Sequence, residues 1–209
     1  MMPDSYRTVR TEGYGEYEEK RSRFLAVVRP AATEAEAKAL IEEMRASHPD
    51  ARHHVYAYLA EFSAVQRMSD DGEPQGTGGV QLMEPMQRLG YTNLCLVVTR
   101  YFGGTLLGAG PLARAYGKAA RLALENAGEA EYRRLSRFSL TLPYAEQKRI
   151  EAELKKQGAV LSSPQYGEAV TLFFTVRAED REAVLRRVTD LTAGKCTPAY
   201  LGDTWGEAE

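Results

Sequence analysis

A glycine-rich turn joins an apolar strand to a helix near the middle of the sequence. The apolar run from Asn93 to Thr99 predicts a buried strand, and residues 100–116 read RYFGGTLLGAGPLARAY. Glycine allows the backbone to approach a bound group closely. The start of a helix offers unpaired N–H groups and partial positive charge. The chain is therefore predicted to be an α+β protein with an anion site where this strand meets this helix.

The charge around this turn is positive, although the whole chain has a formal net charge of −2. Residues 85–124 contain no aspartate or glutamate, whereas five cations lie among them. Three of these cations, Arg114, Lys118 and Arg121, have the 4- and 3-residue spacing that places side chains on one helix face. A solvated helix face is the alternative. The predicted anion-binding residues are Arg100, Gly103, Gly104, Gly108, Gly110, Arg114, Lys118 and Arg121.

The composition is that of an ordinary globular protein, with 44% hydrophobic and 27% charged residues. No run of about 18 apolar residues occurs, so we expect a cytoplasmic protein with no membrane association. Cys95 and Cys196 lie far apart, which gives neither a disulfide framework nor a metal-binding set. Residues 108–113 match G-x-G-x-x-A, but Pro111 lacks the N–H that a pyrophosphate would need. We predict no cofactor and no metal.

A polar loop at residues 69–79, SDDGEPQGTGG, holds Asp70, Asp71 and Glu73 among glycines. Clustered carboxylates can bind Mg²⁺ or Ca²⁺, but the spacing of an EF-hand is absent. A rigid turn is the favoured interpretation, and a functional loop is the alternative. His53 and His54 begin a strand and point to opposite faces, so they are not expected to share a metal. One of them and Tyr101 are candidates to line a groove.

The order of predicted elements indicates two domains. Thr33 and Glu36 form a capping-box pattern at the start of the first helix. Residues 129–135 are charged and are predicted to be a linker between domains at 1–128 and 136–209. The second domain has the strand–helix–strand–strand–helix–strand order of a ferredoxin-like sandwich, including one strand at 159–166. Residues 202–209 are predicted to be a frayed tail.

Three segments together resemble the IMPACT family. They are SDDGEPQGT at residues 69–77, VVTRYFGG at residues 97–104 and LGAGPLARAY at residues 107–116. The first two are long and specific, and the resemblance covers residues 15–128 most strongly. The family-motif loop comprises Ser69, Asp70, Asp71, Gly72, Glu73, Pro74, Gly76 and Thr77. Leu107 and Pro111 depart from the family's usual lysine and glycine.

The resemblance implies a fold for each domain and a link to translation control. It implies a first domain like the second domain of a ribosomal small-subunit protein and a second domain similar to the last domain of elongation factor G. With the basic turn, it favours a non-catalytic regulator that binds RNA or the ribosome. Two alternatives remain: a metal-dependent hydrolase that uses Asp70, Asp71 and Glu73, or an adaptor for a protein partner in translation control.

Overall fold

The computed structural model describes residues 2–208, which divide into two compact units. The first unit contains Tyr6–Glu131 together with Met2, and the second contains residues 132–208 together with residues 3–5. Helices and strands mix throughout the described chain, so the predicted α+β class is confirmed. Across residues 2–208, every helix falls short of the length or the apolar character that crossing a bilayer demands.

Residues 13–127 build an antiparallel sheet with helices on both faces. In chain order, the elements that precede residue 129 are β1 (Ser5–Val9), β2 (Gly13–Glu19), β3 (Ser22–Pro30), α1 (Glu34–Ser47), β4 (His53–Ala60), β5 (Val65–Ser69), α2 (Gly79–Arg88), β6 (Leu94–Tyr101) and α3 (Ala109–Ala127). The strand order is β2-β3-β6-β4-β5, and each neighbouring pair is antiparallel.

Strand β6 is buried on both faces, which explains its unbroken apolar sequence. Leu96 and Val98 pack in the cluster that contains α2 and α3. Cys95 and Val97 pack on the other side of the sheet, in the cluster that contains α1. Successive side chains of a strand point to opposite faces, so a central strand covered on both sides has no polar alternation. Its carboxyl end leads directly into the glycine-rich turn.

Helix α1 starts as its sequence predicts. The Thr33 hydroxyl accepts a hydrogen bond from the Glu36 N–H at 3.3 Å, and the Glu36 carboxylate accepts one from the Thr33 N–H at 3.2 Å. These reciprocal bonds complete the predicted capping box. Helix α3 begins two residues earlier than Pro111, the expected first helical residue, because Gly108 is its N-cap.

Two glycines set the position of α3 on the sheet. A Cβ at Gly13 would lie 2.4 Å from the Ala123 carbonyl oxygen, and a Cβ at Gly15 would lie 2.6 Å from the Ala119 carbonyl oxygen. Such distances are far below van der Waals contact, so only glycine lets the helix pack this closely on β2. The next residue on the same face of β2 is Tyr17, which therefore lies beside α3.

The second unit also combines strands and helices. The elements from residue 129 onward are β7 (Glu129–Leu142), α4 (Tyr144–Lys156), β8 (Val160–Leu161), β9 (Gln165–Tyr166), β10 (Val170–Arg177), α5 (Arg181–Thr192) and β11 (Ala199–Glu207); residues 129–131 of β7 are counted in the first unit. Strand β7 lies between β11 and β10, and both short strands, β8 and β9, pair with β10. Side chains from β7, β10, α4 and α5 form its core.

Three sequence-based expectations for this region were wrong. The predicted linker, residues 129–135, is the first half of β7, and the predicted tail belongs to β11 as far as Glu207. These segments pair with each other, for example Leu135 with Thr204, so backbone hydrogen bonds stabilise strands that have little apolar content. The single strand expected at residues 159–166 is interrupted between β8 and β9.

Candidate functional site

The loop at residues 69–79 is held in shape by the side chain of Asp70. Its Oδ2 accepts a hydrogen bond from the Gly76 N–H at 2.8 Å, and its Oδ1 accepts bonds from the N–H groups of Gly78 and Gly79 at 2.9 and 2.8 Å. Burial alone would raise the pKa of the Asp70 carboxyl, but these hydrogen bonds lower it overall. Asp70 thus caps its own loop, which is the arrangement expected of a rigid turn.

Further hydrogen bonds within the family-motif loop also hold its shape. The Asp71 N–H donates to the Ser69 hydroxyl at 3.1 Å, and the Thr77 hydroxyl donates to the Pro74 carbonyl at 2.6 Å. Gly72 and Gly76 have φ angles of 84° and 79°, which favour glycine. Much of the motif is therefore used to fold the loop.

Asp71 anchors the loop to strand β4. Its Oδ2 accepts a hydrogen bond from the His54 N–H at 2.6 Å, and its carbonyl oxygen accepts one from His53 Nδ1 at 2.8 Å. His54 is buried, and its Nδ1 lies 3.0 Å from the Thr99 hydroxyl, whereas His53 is half-buried. Burial lowers the pKa of His54. The hydroxyl of Tyr101, a predicted groove residue, lies 2.9 Å from Nδ1 of His48.

Glu73 connects the loop to both β6 and α3. Its Oε1 accepts a 2.6 Å hydrogen bond from Arg100 and a 2.7 Å hydrogen bond from the Tyr116 hydroxyl. The pKa of Tyr116 is raised by burial and by the neighbouring Glu73 carboxylate. Arg100 also lies over the rings of Phe24 and Phe102 at 5.5 and 5.7 Å. The prediction that Arg100 contacts phosphates is corrected here, because its buried guanidinium already pairs with Glu73.

The glycines of the turn after β6 have different roles. A Cβ at Gly103 would lie 2.1 Å from the carbonyl carbon of Arg21, so Gly103 serves the packing of the turn against β3 and not the approach of a ligand. Gly104 and Gly108 have φ angles of 84° and 81° and open space where a Cβ would stand. At Gly110 a Cβ would meet only Arg114 Nη1, at 3.5 Å.

A groove runs between helices α2 and α3. Its first cavity, of about 340 Å³, is lined by residues that include Tyr17, Gln81, Arg114, Lys118 and Arg121. A second cavity, of about 470 Å³, shares Gln81, Gly117 and Arg121 and continues to Arg88. We call this continuous surface the α2–α3 groove. Its defining residues are Tyr17, Gln81, Arg88, Arg114, Gly117, Lys118 and Arg121.

The cations of the α2–α3 groove are exposed and have no carboxylate partner. Within residues 2–208, no Asp or Glu oxygen lies within 4.0 Å of the charged nitrogens of Arg88, Arg114, Lys118 or Arg121, although Glu19, Glu84 and Glu125 border the groove. Glu19 instead accepts a hydrogen bond from the Tyr17 hydroxyl at 2.8 Å. Lys118 Nζ lies 4.5 Å from the centre of the Tyr17 ring. The groove can therefore offer four cations to an anionic ligand.

The structure divides the predicted anion-binding residues into two groups. Arg114, Lys118 and Arg121 lie together on the exposed face of α3, as their spacing predicts, while Arg100 is buried beneath the turn. Sequence reasoning missed Tyr17 and Gln81 as groove residues. A signal for Tyr17 was available, because Gly13, Gly15 and Tyr17 alternate along β2 and share the face that packs on α3.

The geometry gives no support to the metal-dependent hydrolase. Asp70 caps the loop, Asp71 binds the backbone of β4 and Glu73 pairs with Arg100, so the three carboxylates point to different partners. Among residues 2–208, no three side chains of His, Cys, Asp or Glu are arranged to hold a metal ion.

Comparisons with known proteins match nearly the whole chain. The family described as "Impact N-terminal domain" matches residues 20–124, and the "Domain of unknown function (DUF1949)" matches residues 140–195. "IMPACT family member YvyE" of Bacillus subtilis is 36% identical over 93% of this chain and 90% of its own. "IMPACT family member YigZ" of Escherichia coli is 33% identical over 84% of this chain and 87% of its own.

A solved structure also resembles the chain over most of its length. The protein titled "Crystal structure of an hypothetical protein" is 30% identical, covers 96% of this chain and 99% of its own, and has a TM-score of 0.66. The resemblance inferred from the three motifs is thus supported across both units. The chain belongs to the IMPACT family.

Proposed function

We propose that this protein is a non-catalytic, translation-linked regulator that binds RNA or the ribosome through the α2–α3 groove. The observation that carries the proposal is the row of unpaired cations, Arg114, Lys118 and Arg121 on α3 with Arg88 across the groove on α2. Phosphate groups are the natural partners of such a row, since cations contribute most of the affinity for a nucleic-acid backbone.

The spacing of the cations limits how much backbone the groove can contact. With a rise of about 1.5 Å per residue, Arg114 and Arg121 stand about 10 Å apart along α3. That length, with Arg88 opposite, suits two or three consecutive phosphates. Contacts of this kind position a protein on nucleic acid without reading bases, so we expect weak sequence specificity.

The translation link rests on the resemblance of the two domains to translation proteins. We propose a first domain at residues 1–128 like the second domain of a ribosomal small-subunit protein. We propose a ferredoxin-like second domain at residues 136–209 similar to the last domain of elongation factor G. Membership of the IMPACT family supports this proposal.

The proposal is tested by titrating single-stranded and structured RNA at several salt concentrations. Two to three phosphate contacts predict a slope of log affinity against log salt of about −1.5 to −2 for a single strand. Arg114→Ala combined with Lys118→Ala should weaken binding and flatten this slope. The matched control is Lys155→Ala with Lys156→Ala, which removes two exposed helical cations of the second unit. Salt-independent binding, or equal binding by both double variants, would overturn the proposal.

A further inference from the structure

We propose that an apolar pocket at one end of the α2–α3 groove holds one unpaired base of a single-stranded RNA. The inference rests on the proposed function and adds the strandedness of the ligand. The pocket has a volume of about 220 Å³. Its lining combines the apolar side chains of Leu89, Tyr91 and Leu124 with the charged side chains of Arg88, Arg121 and Glu125. We call it the end pocket.

The end pocket is continuous with the α2–α3 groove. It shares Arg88 and Arg121 with the second cavity of the groove. On α3, Leu124 and Glu125 follow Arg121 by three and four residues, so all three side chains lie on one helix face. A strand whose phosphates contact the two shared arginines therefore has a neighbouring base beside the end pocket.

The chemistry of the end pocket suits a base and not a phosphate. Tyr91 and Leu124 are buried, and Leu89 is 36% exposed, so a flat ring can cover apolar surface there. The exposed carboxylate of Glu125 has neither a hydrogen bond nor an ion pair within residues 2–208. It repels a phosphate, but it can accept a hydrogen bond from an N–H on the edge of a base. All four RNA bases carry such an N–H, so the weak sequence specificity expected of the groove is retained.

The walls of the end pocket are held in place by Arg7. Its Nη1 donates a 3.0 Å hydrogen bond to the Leu89 carbonyl oxygen, and its guanidinium carbon lies 5.8 Å from the centre of the Tyr91 ring. The Tyr91 hydroxyl and Arg7 Nε both donate to the Glu129 carboxylate, at 3.1 and 3.0 Å. Because these side chains are already ordered, a ligand does not have to order them on binding.

The size of the end pocket distinguishes single strands from duplexes. Its volume of about 220 Å³ is below the range of about 300–1,000 Å³ that holds a drug-sized ligand, which leaves room for one ring system and not for a base pair. In a duplex every base is paired and stacked, whereas a base of a single strand can turn outward. The cations of the groove would bind either form, but the end pocket contributes only to the single strand.

The test separates the bases of the ligand from its phosphates. A single-stranded RNA of about ten nucleotides is titrated beside an abasic strand, which has the same number of phosphates but no bases. The original protein should bind the base-bearing strand about tenfold more tightly than the abasic strand. Leu89→Ser should remove most of this advantage and leave binding of the abasic strand and of an RNA duplex unchanged. The salt dependence should stay the same, because no phosphate contact is lost.

The matched control is Leu122→Ser. Leu122 is also 36% exposed and lies on α3, but it is outside the lining of the end pocket. This variant makes the same chemical change and should bind both strands as the original protein does. An equal loss in Leu122→Ser would overturn the assignment of the base to the end pocket.

A second measurement decides the matter if Leu89→Ser fails to fold. Ultraviolet cross-linking of the original protein to the base-bearing strand should map to residues 88–91 or 121–125, and cross-links confined to other residues would be adverse. If Leu89→Ser folds and leaves all RNA affinities unchanged, the pocket does not hold a base and an apolar side chain of a protein partner becomes the better candidate.

The two proposals fail in different ways. Salt-dependent binding of the base-bearing strand, the abasic strand and the duplex with equal affinity would remove the base from the end pocket and leave the basic groove as proposed. No binding of any of the three by the original protein would remove the proposed function itself.

Discussion

Arg100 Nη1 donates a 2.6 Å hydrogen bond to the carboxylate of Glu73, and the two side chains are only 7% and 4% exposed. The pair joins strand β6 to the family-motif loop across 27 residues of sequence. Taking both charges out of water costs much of what their attraction returns. The main effect of the pair is to hold the family-motif loop against β6. Any other arrangement of these two segments would leave a buried charge without a partner.

Glu73→Ala should destabilise the first unit by about 3–5 kcal/mol, since it leaves the Arg100 guanidinium buried and unpaired. Tyr116→Phe removes only one hydrogen bond to the same carboxylate and should cost about 1.5 kcal/mol. Urea unfolding followed by circular dichroism measures both changes. A double variant, Glu73→Leu with Arg100→Met, removes both charges and should cost less than the summed costs of the single variants Glu73→Leu and Arg100→Met. If the cost of the double variant equals that sum, the two side chains are not coupled and this account fails.

Asp70→Asn should destabilise the loop by about 1–3 kcal/mol, because an amide cannot accept from all three N–H groups that the carboxylate serves. The lowered pKa of Asp70 also sets a pH dependence. A depressed carboxyl pKa contributes stability that is complete above the ordinary value of about 4 and is lost as pH falls through the folded value. Between pH 6 and 2, the free energy of unfolding should therefore vary less with pH in Asp70→Asn than in the original protein. The control is Asp50→Asn, which removes an exposed carboxylate of the same unit and should leave this pH dependence unchanged.

The sequence identified elements wherever a local pattern was sufficient. The apolar run of β6, the capping box of α1 and the cation spacing on α3 each need only a few neighbouring residues. From the sequence alone, Arg100 is predicted to bind a ligand, and the structure shows that it pairs with Glu73 instead. The sequence does not reveal this pair, because Glu73 lies in a separate motif and no local pattern joins the two residues.

Long-range pairing explains the other failures. Residues 129–135 are mostly charged and polar, and residues 132–135 form a strand because β11 supplies hydrogen bonds from 69 or more residues away, as in the pair Leu135 and Thr204. A pattern of side chains does not reveal such a partner. The same limit applies to Gln81, which enters the groove from α2.

Gly103→Ala, in the turn after β6, and Gly110→Ala, in the first turn of α3, make a matched pair. At Gly103 the new Cβ would stand 2.1 Å from backbone of Arg21, so the turn must move and we expect a loss of several kcal/mol, within the range of severe core substitutions. At Gly110 the nearest atom is the end of a flexible arginine, and alanine favours the helix by about 0.5–1 kcal/mol. Thermal unfolding of the two variants should therefore shift in opposite directions. Similar behaviour of both variants would contradict the assignment of Gly103 to internal packing.

His54 should make the first unit less stable as the pH falls from 7 to 5. Burial lowers its pKa in the folded state, as do Arg45, His48 and His53, while Asp71 opposes the shift. The unfolded chain, with an ordinary histidine pKa of about 6.5, then binds more protons than the folded one across this range. Stability therefore rises with pH through this window and is lost on acidification. His54→Gln can still hydrogen-bond to Thr99 but cannot titrate, so its unfolding free energy should vary less between pH 7 and 5. His53→Gln provides the control, and an equal flattening in both variants would show that burial of His54 is not the cause.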